Sequence, residues 1–236
     1  MALAERVGCA VPGPGAAIGL MTFADHYFSE QALHDWTAVA ERHRIRDEYF
    51  LRTLQKYFHP GPILEIGAAT GHVSAILHNR GYDVTASDVS PRFVAAIAAR
   101  GVPALLVDAT RDIRLQTGRS FTNVVAQNVI PLIRRDHERL HATLLAIHAA
   151  LDPSGRLICI NARTSRCRNR AAFFRPREQM EIIRNSSLFR IVTSFPHQVI
   201  PTGLYRGWNA RVFNLADFKL ARIAAVRLVS IAEKIS

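Results

Sequence analysis

From Pro62 onward the hydrophobic positions keep changing rhythm. Ile63–Ile66 is a short apolar run bounded by Pro and Gly, the form of a strand buried on both faces. Val73–Arg80 has the three- and four-residue spacing of a helix and is closed by Gly81. "YDVTASDVS" reads as strand, "PRFVAAIAARG" as a helix with Pro near its start and Gly after its end, and "VPALLVDAT" as strand again. "FTNVVAQNVI" predicts a further strand, "RRDHERLHATLLAIHAALDPSG" a helix stopped by its turn residues, and "RLICINA" a strand. Before this block, Phe23–Phe58 has helical spacing and ends at "HPGP".

Beyond Arg163 the pattern loosens. It predicts a helix around Arg177–Arg184, a strand around Phe189–Phe195 and another near Ala210–Asn214. Asp217–Ile235 reads as an amphipathic helix, with Lys219, Arg222, Arg227, Ser230, Glu233 and Lys234 on one side and Ile223 and Val226 intruding. Strands that are apolar throughout, alternating with helices, predict an α/β fold. The expected architecture is a doubly wound, mostly parallel seven-stranded sheet with helices on both faces and an N-terminal helical lid. It divides into a flexible leader (1–22), the lid (23–58), and a core with a C-terminal amphipathic helix (59–236).

Composition narrows this picture. Hydrophobic residues make up 49% of the 236 positions, enough for a substantial core. Arg, Asp or His interrupts every apolar stretch before it reaches membrane-spanning length. The N-terminus has Glu5 and Arg6 and lacks a secretory h-region. The three cysteines, Cys9, Cys159 and Cys167, have no metal spacing and fit a reducing cytoplasm, with Cys159 in an apolar run. No metal site is expected. The net charge of +11 raises the question of anionic partners. The arginines are scattered except in one segment, which holds Arg163, Arg166, Arg168, Arg170, Arg175 and Arg177. That 163–177 cluster is either a solvated loop or a contact for an anionic substrate or membrane surface.

Candidate chemistry gathers at the strand ends. In an open α/β sheet, ligands bind beyond the carboxyl ends of the strands, where the connectivity reverses. Gly67, Ala69 and Gly71 follow the first strand and permit close approach to the backbone. Asp88 ends the second strand, where a carboxylate can accept from both hydroxyls of a ribose. Asp108 ends the third, where it can accept from an exocyclic adenine amine, and Asn128 ends the fourth. Taken singly, each is better explained as a cap or turn residue; together, on successive strands, they point to one ligand. A dinucleotide fits poorly, because its fingerprint needs a middle glycine where Ala69 stands.

"LEIGAATGHVS", "VTASDVS", "VDAT", "AQNVIPLI" and "ALDPSGRLICI", in this order, resemble the motifs of class I S-adenosylmethionine-dependent methyltransferases. The resemblance covers roughly Pro62 to Asn161 and implies a Rossmann-like fold with S-adenosyl-L-methionine as cofactor. It implies that Glu65, Gly67, Ala68, Ala69 and Gly71 belong to the loop around the methionine part. By the same resemblance Asp88 binds the ribose, Val89 lies against the adenine, Asp108 and Ala109 hold its edge, and Asn128 lines the methionine side. Ala69 replaces a glycine usual in this family.

Methyl transfer to oxygen or carbon often needs a base. Candidates are His26, His137, His141 and His197, with the sequence offering no choice among them. "QNVIPLI" lacks the Asn/Asp-Pro-Pro-aromatic motif of nucleic-acid amino-group methyltransferases and resembles small-molecule and lipid-quinone branches. Tyr27, Phe28, Trp36, Tyr49 and Phe50 of the lid would close an apolar pocket. The C-terminal helix, with Tyr205 and Trp208 before it, would pack on the sheet or serve a membrane surface or a homodimer contact. The reading is a cytoplasmic methyltransferase with a small, partly apolar acceptor. RNA methylation, favoured by net charge, and a non-catalytic scaffold are the alternatives.

Overall fold

The computed structural model describes residues 28–133, 136–162, 176–197, 208–209, 212–213 and 227–235. The expected leader, His26, Tyr27, Tyr205 and residues 163–175 of the basic segment lie outside them.

The chain enters through α1 (Glu30–Leu54), whose N-cap Ser29 accepts from the Ala32 N–H at 3.2 Å. A short 3-10 turn (Gln55–Tyr57) follows, and the chain turns at Pro60–Pro62 into β1 (Ile63–Ile66). Then come α2 (His72–His78), β2 (Val84–Asp88), α3 (Pro91–Ala98), β3 (Ala104–Leu106), α4 (Ile113–Thr117) and β4 (Phe121–Gln127). They are followed by α5 (Ile130–Ile133), α6 (His137–Ala150), β5 (Leu151–Ala162), α7 (Pro176–Asn185), β6 (Phe189–His197) and β7 (Arg227–Lys234).

The seven strands lie in the order β3-β2-β1-β4-β5-β7-β6. The first five pair in parallel, and β7 runs antiparallel to both neighbours. Connectivity therefore reverses between β1 and β4, which puts the ligand edge above Ile66 and Gln127. One face of the sheet packs Phe50, Leu51 and Leu54 of α1 and Val73, Ile76 and Leu77 of α2 against Val125, Ile158, Val229 and Ile231. The other packs Leu140, Leu144 and Ile147 of α6 and Ile183 of α7 against Leu64, Val124, Leu157 and Cys159. Successive strand residues feed opposite faces, so a central strand reads as continuously apolar. The lid helix is thus part of the core over its C-terminal half: Phe50, Leu51 and Leu54 are buried beneath it.

Several expectations need correction. The region expected as a C-terminal amphipathic helix is, in its described part, strand β7 between β5 and β6. Leu228 to Ala232 are buried on both sides, which only a central strand explains. The spacing of Arg227, Ser230, Glu233 and Lys234 imitated a polar helical face, but Ser230 is fully buried. The strand expected near Ala210–Asn214 falls mostly outside the described residues. Its two described members, Val212 and Phe213, are helical, with the Phe213 N–H donating to the Asn209 carbonyl at 3.0 Å. Strand β5 begins earlier than expected, because Leu151 pairs with Phe121 before the chain loops out and resumes pairing at Arg156. Strand β3 stops at Leu106, so Asp108 stands two residues beyond it. Among the described residues, no helix is long and apolar enough to cross a membrane.

Candidate functional site

Gly67 and Gly71 adopt φ of +63° and +69°, a region closed to most L-residues. A Cβ on Gly67 would stand 2.6 Å from Val129, and one on Gly71 2.8 Å from Ile97. Packing beneath the loop therefore demands both glycines, whatever lies above. Ala69 is more informative, because it also takes a positive φ, +48°, at a steric cost of about 1–2 kcal/mol. Its N–H donates to Asp88 Oδ2 at 2.9 Å, which holds it there. Asp88 Oδ1 accepts from the Ser90 N–H, also at 2.9 Å. A carboxylate accepts about four hydrogen bonds, so these two do not exhaust it.

Around this joint the edge is apolar and open. Val89 is 48% exposed after β2, and Leu106 is 56% exposed opposite Asp88 in β3. Asp108 Oδ1 accepts from the Thr110 N–H (2.9 Å) and hydroxyl (2.7 Å), and Arg111 Nε lies 3.4 Å from Oδ2. Burial pushes this carboxyl up, but the Thr110 bonds and the Arg111 charge outweigh it and hold the group below its ordinary value. Ala109 packs partly buried against the α6–α7 side of the core. Asn128 has φ +57°, and its N–H donates to the Ile160 carbonyl at 2.9 Å, closing β4 against β5.

Glu65 does not face this edge. It is 3% exposed within β1, accepts from the Ser74 hydroxyl of α2, and its carbonyl accepts from Ser87 Oγ at 2.9 Å. Burial raises its carboxyl to about 7. Glu65 is therefore the foundation of the loop, tying β1 to α2 and β2.

The described histidine candidates are scattered. His137 opens α6 on the ligand side of the sheet and is exposed, and His141 is exposed one turn further on. His197 ends β6 fully buried, its ring stacked on Phe50 with centroids 4.2 Å apart.

Two groups escaped sequence reasoning. Asp47 of α1 accepts from Arg46 Nε at 2.7 Å, and its other oxygen lies 3.5 Å from Nε2 of His72, the residue after Gly71. Arg227, opening β7, places Nη1 3.8 Å from Asp47. Burial would raise the Asp47 carboxyl; Arg46, with His72 and Arg227, outweighs it and holds the group well below the carboxylate range. Burial, then Arg46 and Arg227, push neighbouring His43 down to about 2, so its imidazole stays neutral. The signal was present in α1: His43 and Asp47 occupy core-facing positions of a helix whose other buried positions are mostly apolar.

The second group is a neutral chain. Asn161 Nδ2 donates to Gln179 Oε1 (3.0 Å), Gln179 Nε2 to Ser230 Oγ (2.8 Å), Ser230 lies 3.0 Å from Ser194 Oγ, and Ser194 donates to the Val229 carbonyl (3.0 Å). A carbonyl only accepts, so every donor in the chain must point toward it, and Asn161 is left presenting its Oδ1 away from Gln179. No motif announces this network, because it spans residues 161 to 230.

Comparison with known proteins follows the same lines. A family model matches residues 64–157. Over that segment the chain matches a methyltransferase domain. No curated protein matches the sequence. Solved structures show how far the methyltransferase fold extends beyond the matched segment. A TehB-like S-adenosylmethionine-dependent methyltransferase from Corynebacterium glutamicum superposes with a TM-score of 0.60 at 15% identity, covering 87% of this chain and 97% of its own. A methyltransferase from Thermotoga maritima, described as a possible histamine N-methyltransferase, gives 0.61 at 15% identity, covering 89% and 98%. The glycopeptide N-methyltransferase MtfA bound to S-adenosylhomocysteine gives 0.58 at 14% identity, covering 88% and 99%. At these identities the likeness is one of fold.

Proposed function

We propose that this methyltransferase modifies a small, partly apolar acceptor, of natural-product, quinone or lipid-like type. The observation that carries the reading is the continuation after β4. "QNVIPLI" folds as Asn128 in a left-handed turn and the short helix α5, with Ile130 and Pro131 buried and Leu132 47% exposed. An apolar wall there suits an apolar acceptor and leaves no planar-amine clamp of the nucleic-acid type. The described glycopeptide and histamine enzymes, both named as N-methyltransferases, agree with a small or peptide-sized substrate.

The strand ends suit S-adenosylmethionine, which supplies an electrophilic methyl group on its sulfonium. Asp88, anchored by the Ala69 and Ser90 N–H groups, would receive the ribose hydroxyls. Val89 and Leu106 would flank the adenine, and Asp108 and Ala109 its edge. The loop Gly67–Gly71 and Asn128 would border the methionine portion. The protein's task is then alignment: the acceptor nucleophile must lie in line with the sulfur–carbon bond. An acceptor that must lose a proton would pass it to a base, for which His137, exposed at the start of α6, is the candidate. The cytoplasm fits the cysteine usage, Cys159 being buried and its thiol pushed up to about 12 by burial.

Titration of S-adenosylhomocysteine into wild type and Asp88→Ala tests the cofactor site. Micromolar binding, about −8 kcal/mol, that falls on the order of 100-fold in the variant is expected; equal affinities would refute the assignment. Incubation with methyl-labelled cofactor and separate pools of small aromatic, lipid and RNA acceptors tests the class. The charge of +11 favours RNA as the second reading. Labelled RNA, with binding that weakens steeply as salt rises, would establish it instead.

A further inference from the structure

The neutral chain through Asn161, Gln179, Ser230 and Ser194 has a direction and an open end. At its closed end Ser194 donates to the Val229 carbonyl at 3.0 Å, so its hydroxyl has no hydrogen left for Ser230. Ser230 therefore donates to Ser194 and accepts from Gln179 Nε2, which leaves Gln179 Oε1 to accept from Asn161 Nδ2. The order fixes the Asn161 amide, whose oxygen faces away from the chain. Asn161 is fully buried, and its Oδ1 has no hydrogen-bond partner among the described residues. A buried amide oxygen without a partner forfeits its hydration, at a cost comparable to a hydrogen bond. Packing alone does not call for an amide here, because apolar residues at 161 and 179 would fill the same space with no polar group to satisfy. Position adds a second observation. Gln127 and Ile160 form the last pair between β4 and β5, and the Asn128 N–H donates to the Ile160 carbonyl. Asn161 is the next residue, so it stands on the carboxyl edge of the sheet, level with Asn128. Alternation puts its side chain on the face of Leu157 and Cys159, where Ile130 of the apolar wall α5 is also buried.

Building on the small-acceptor reading, we propose that Asn161 Oδ1 is a specificity-determining contact for the methyl acceptor, receiving an uncharged O–H or N–H group from it. A neutral amide oxygen accepts from such a donor and repels a carboxylate. The substrate class narrows to partly apolar molecules that carry a hydroxyl or amino hydrogen at or beside the nucleophile, such as phenols, hydroquinones and aromatic amines. Molecules that present only acceptor oxygens are rejected. Gln179 is a positioning residue: held by Ser230, it keeps the Asn161 amide from turning its Nδ2 toward the acceptor. The amide gives and takes no proton in the transfer; it sets which way the nucleophile faces the methyl group.

The test supplies methyl-labelled cofactor to wild type and to the double variant Asn161→Leu/Gln179→Leu, with two acceptor pools. One pool holds phenols, anilines and lipid hydroquinones; the other holds benzoates. Replacing both partners of a buried hydrogen bond by apolar side chains is close to neutral, and Ser230 keeps Ser194. The double variant should therefore melt cooperatively near wild type and bind S-adenosylhomocysteine equally well. Wild type should label the first pool about tenfold more than the benzoates. In the double variant the KM of the best-labelled acceptor should rise about tenfold and the preference between pools should disappear. A KM and a preference equal in the two proteins would overturn the assignment, with the oxygen then serving a buried water or the fold alone. A wild-type preference for benzoates would overturn it as well. If the double variant does not melt cooperatively, Gln179→Leu decides, because Asn161 keeps its oxygen there and loses its anchor. Its KM should rise about threefold, and an unchanged KM counts against the contact. Wild type that labels neither pool, or labels RNA alone, refutes instead the small-acceptor reading on which the contact rests.

Discussion

The two halves of the sheet handle buried polarity in opposite ways. In the half formed by β1, β2 and β3 the buried polar groups include two acids, Glu65 and Asp88, each bonded to residues fewer than thirty positions away. In the half formed by β5, β7 and β6 they are neutral: Asn161, Gln179, Ser230 and Ser194, drawn from segments far apart in the chain. The charge of Asp88, beside the ligand edge, can be repaid by the ligand or by loop N–H groups, whereas Glu65, away from it, is eased by keeping its proton. A polar group sealed between two core layers has only its neighbours, so it must be uncharged and depends on them for its hydrogen bonds. Breaking each kind should therefore give a different readout.

The largest expected effect lies in the charged half. Glu65, buried and raised to about 7 from 4.5, keeps a proton in the folded chain that the unfolded chain has released. Stability should fall as pH rises from about 4.5 through about 7, by on the order of 3 kcal/mol for a shift of this size. Glu65→Gln retains an acceptor for Ser74 and removes the titration. Its advantage over wild type in urea unfolding should grow across that window and level off above it. His43 pulls the other way: the unfolded histidine takes up a proton below about 6.5 while the folded ring, held at about 2, does not. That uptake costs stability as pH falls and cancels in the difference between wild type and Glu65→Gln. A constant difference between the two proteins from pH 5 to pH 8 would refute the buried-acid account.

The same contrast explains what could be read in advance. Apart from the short helix α4, which no pattern announced, each element from β1 to β4 carries its own local pattern, and the glycine loop, Asp88 and Asp108 sit where adjacent turns put them. Loop and strand order were accordingly legible, together with the fold class and the family resemblance. Strand β7 was not. Its residues satisfy a helical period almost as well as a strand's, and only the presence of β5 and β6 on either side decides for the strand. The charged seam at Asp47 was half hidden for a similar reason: His43 and Asp47 stand on the core face of α1, but Arg227 reaches them from the opposite end of the sequence.

A medium effect is expected in the neutral half. Gln179→Leu keeps most of the volume but strips the Asn161 amide and the Ser230 hydroxyl of their shared partner, and both are fully buried. Leaving the Asn161 amide unpaired, and the Ser230 hydroxyl with Ser194 alone, should cost about 2 kcal/mol, seen as a lower urea midpoint. The affinity for S-adenosylhomocysteine should stay within about twofold of wild type, since this network stands apart from Asp88. Loss of affinity without loss of stability would mean that Asn161 Oδ1 belongs to the ligand edge, and the two halves would then be less distinct than their bonding suggests.

The smallest effect tests the loop itself. Ala69 sits at φ +48°, where a side chain is strained and glycine is not. Ala69→Gly removes about 1 kcal/mol of strain but adds freedom to the unfolded chain worth roughly half of that. The net expectation is a gain of about 0.5 kcal/mol, one or two degrees in melting temperature for a chain of this size. Affinity for S-adenosylhomocysteine decides what the alanine contributes. If the strain is merely tolerated, the glycine variant binds as wild type does. If the Cβ helps hold the Ala69 N–H on Asp88, the variant gains stability and loses affinity together, because the loop that was fixed before the ligand arrived must then be ordered by it.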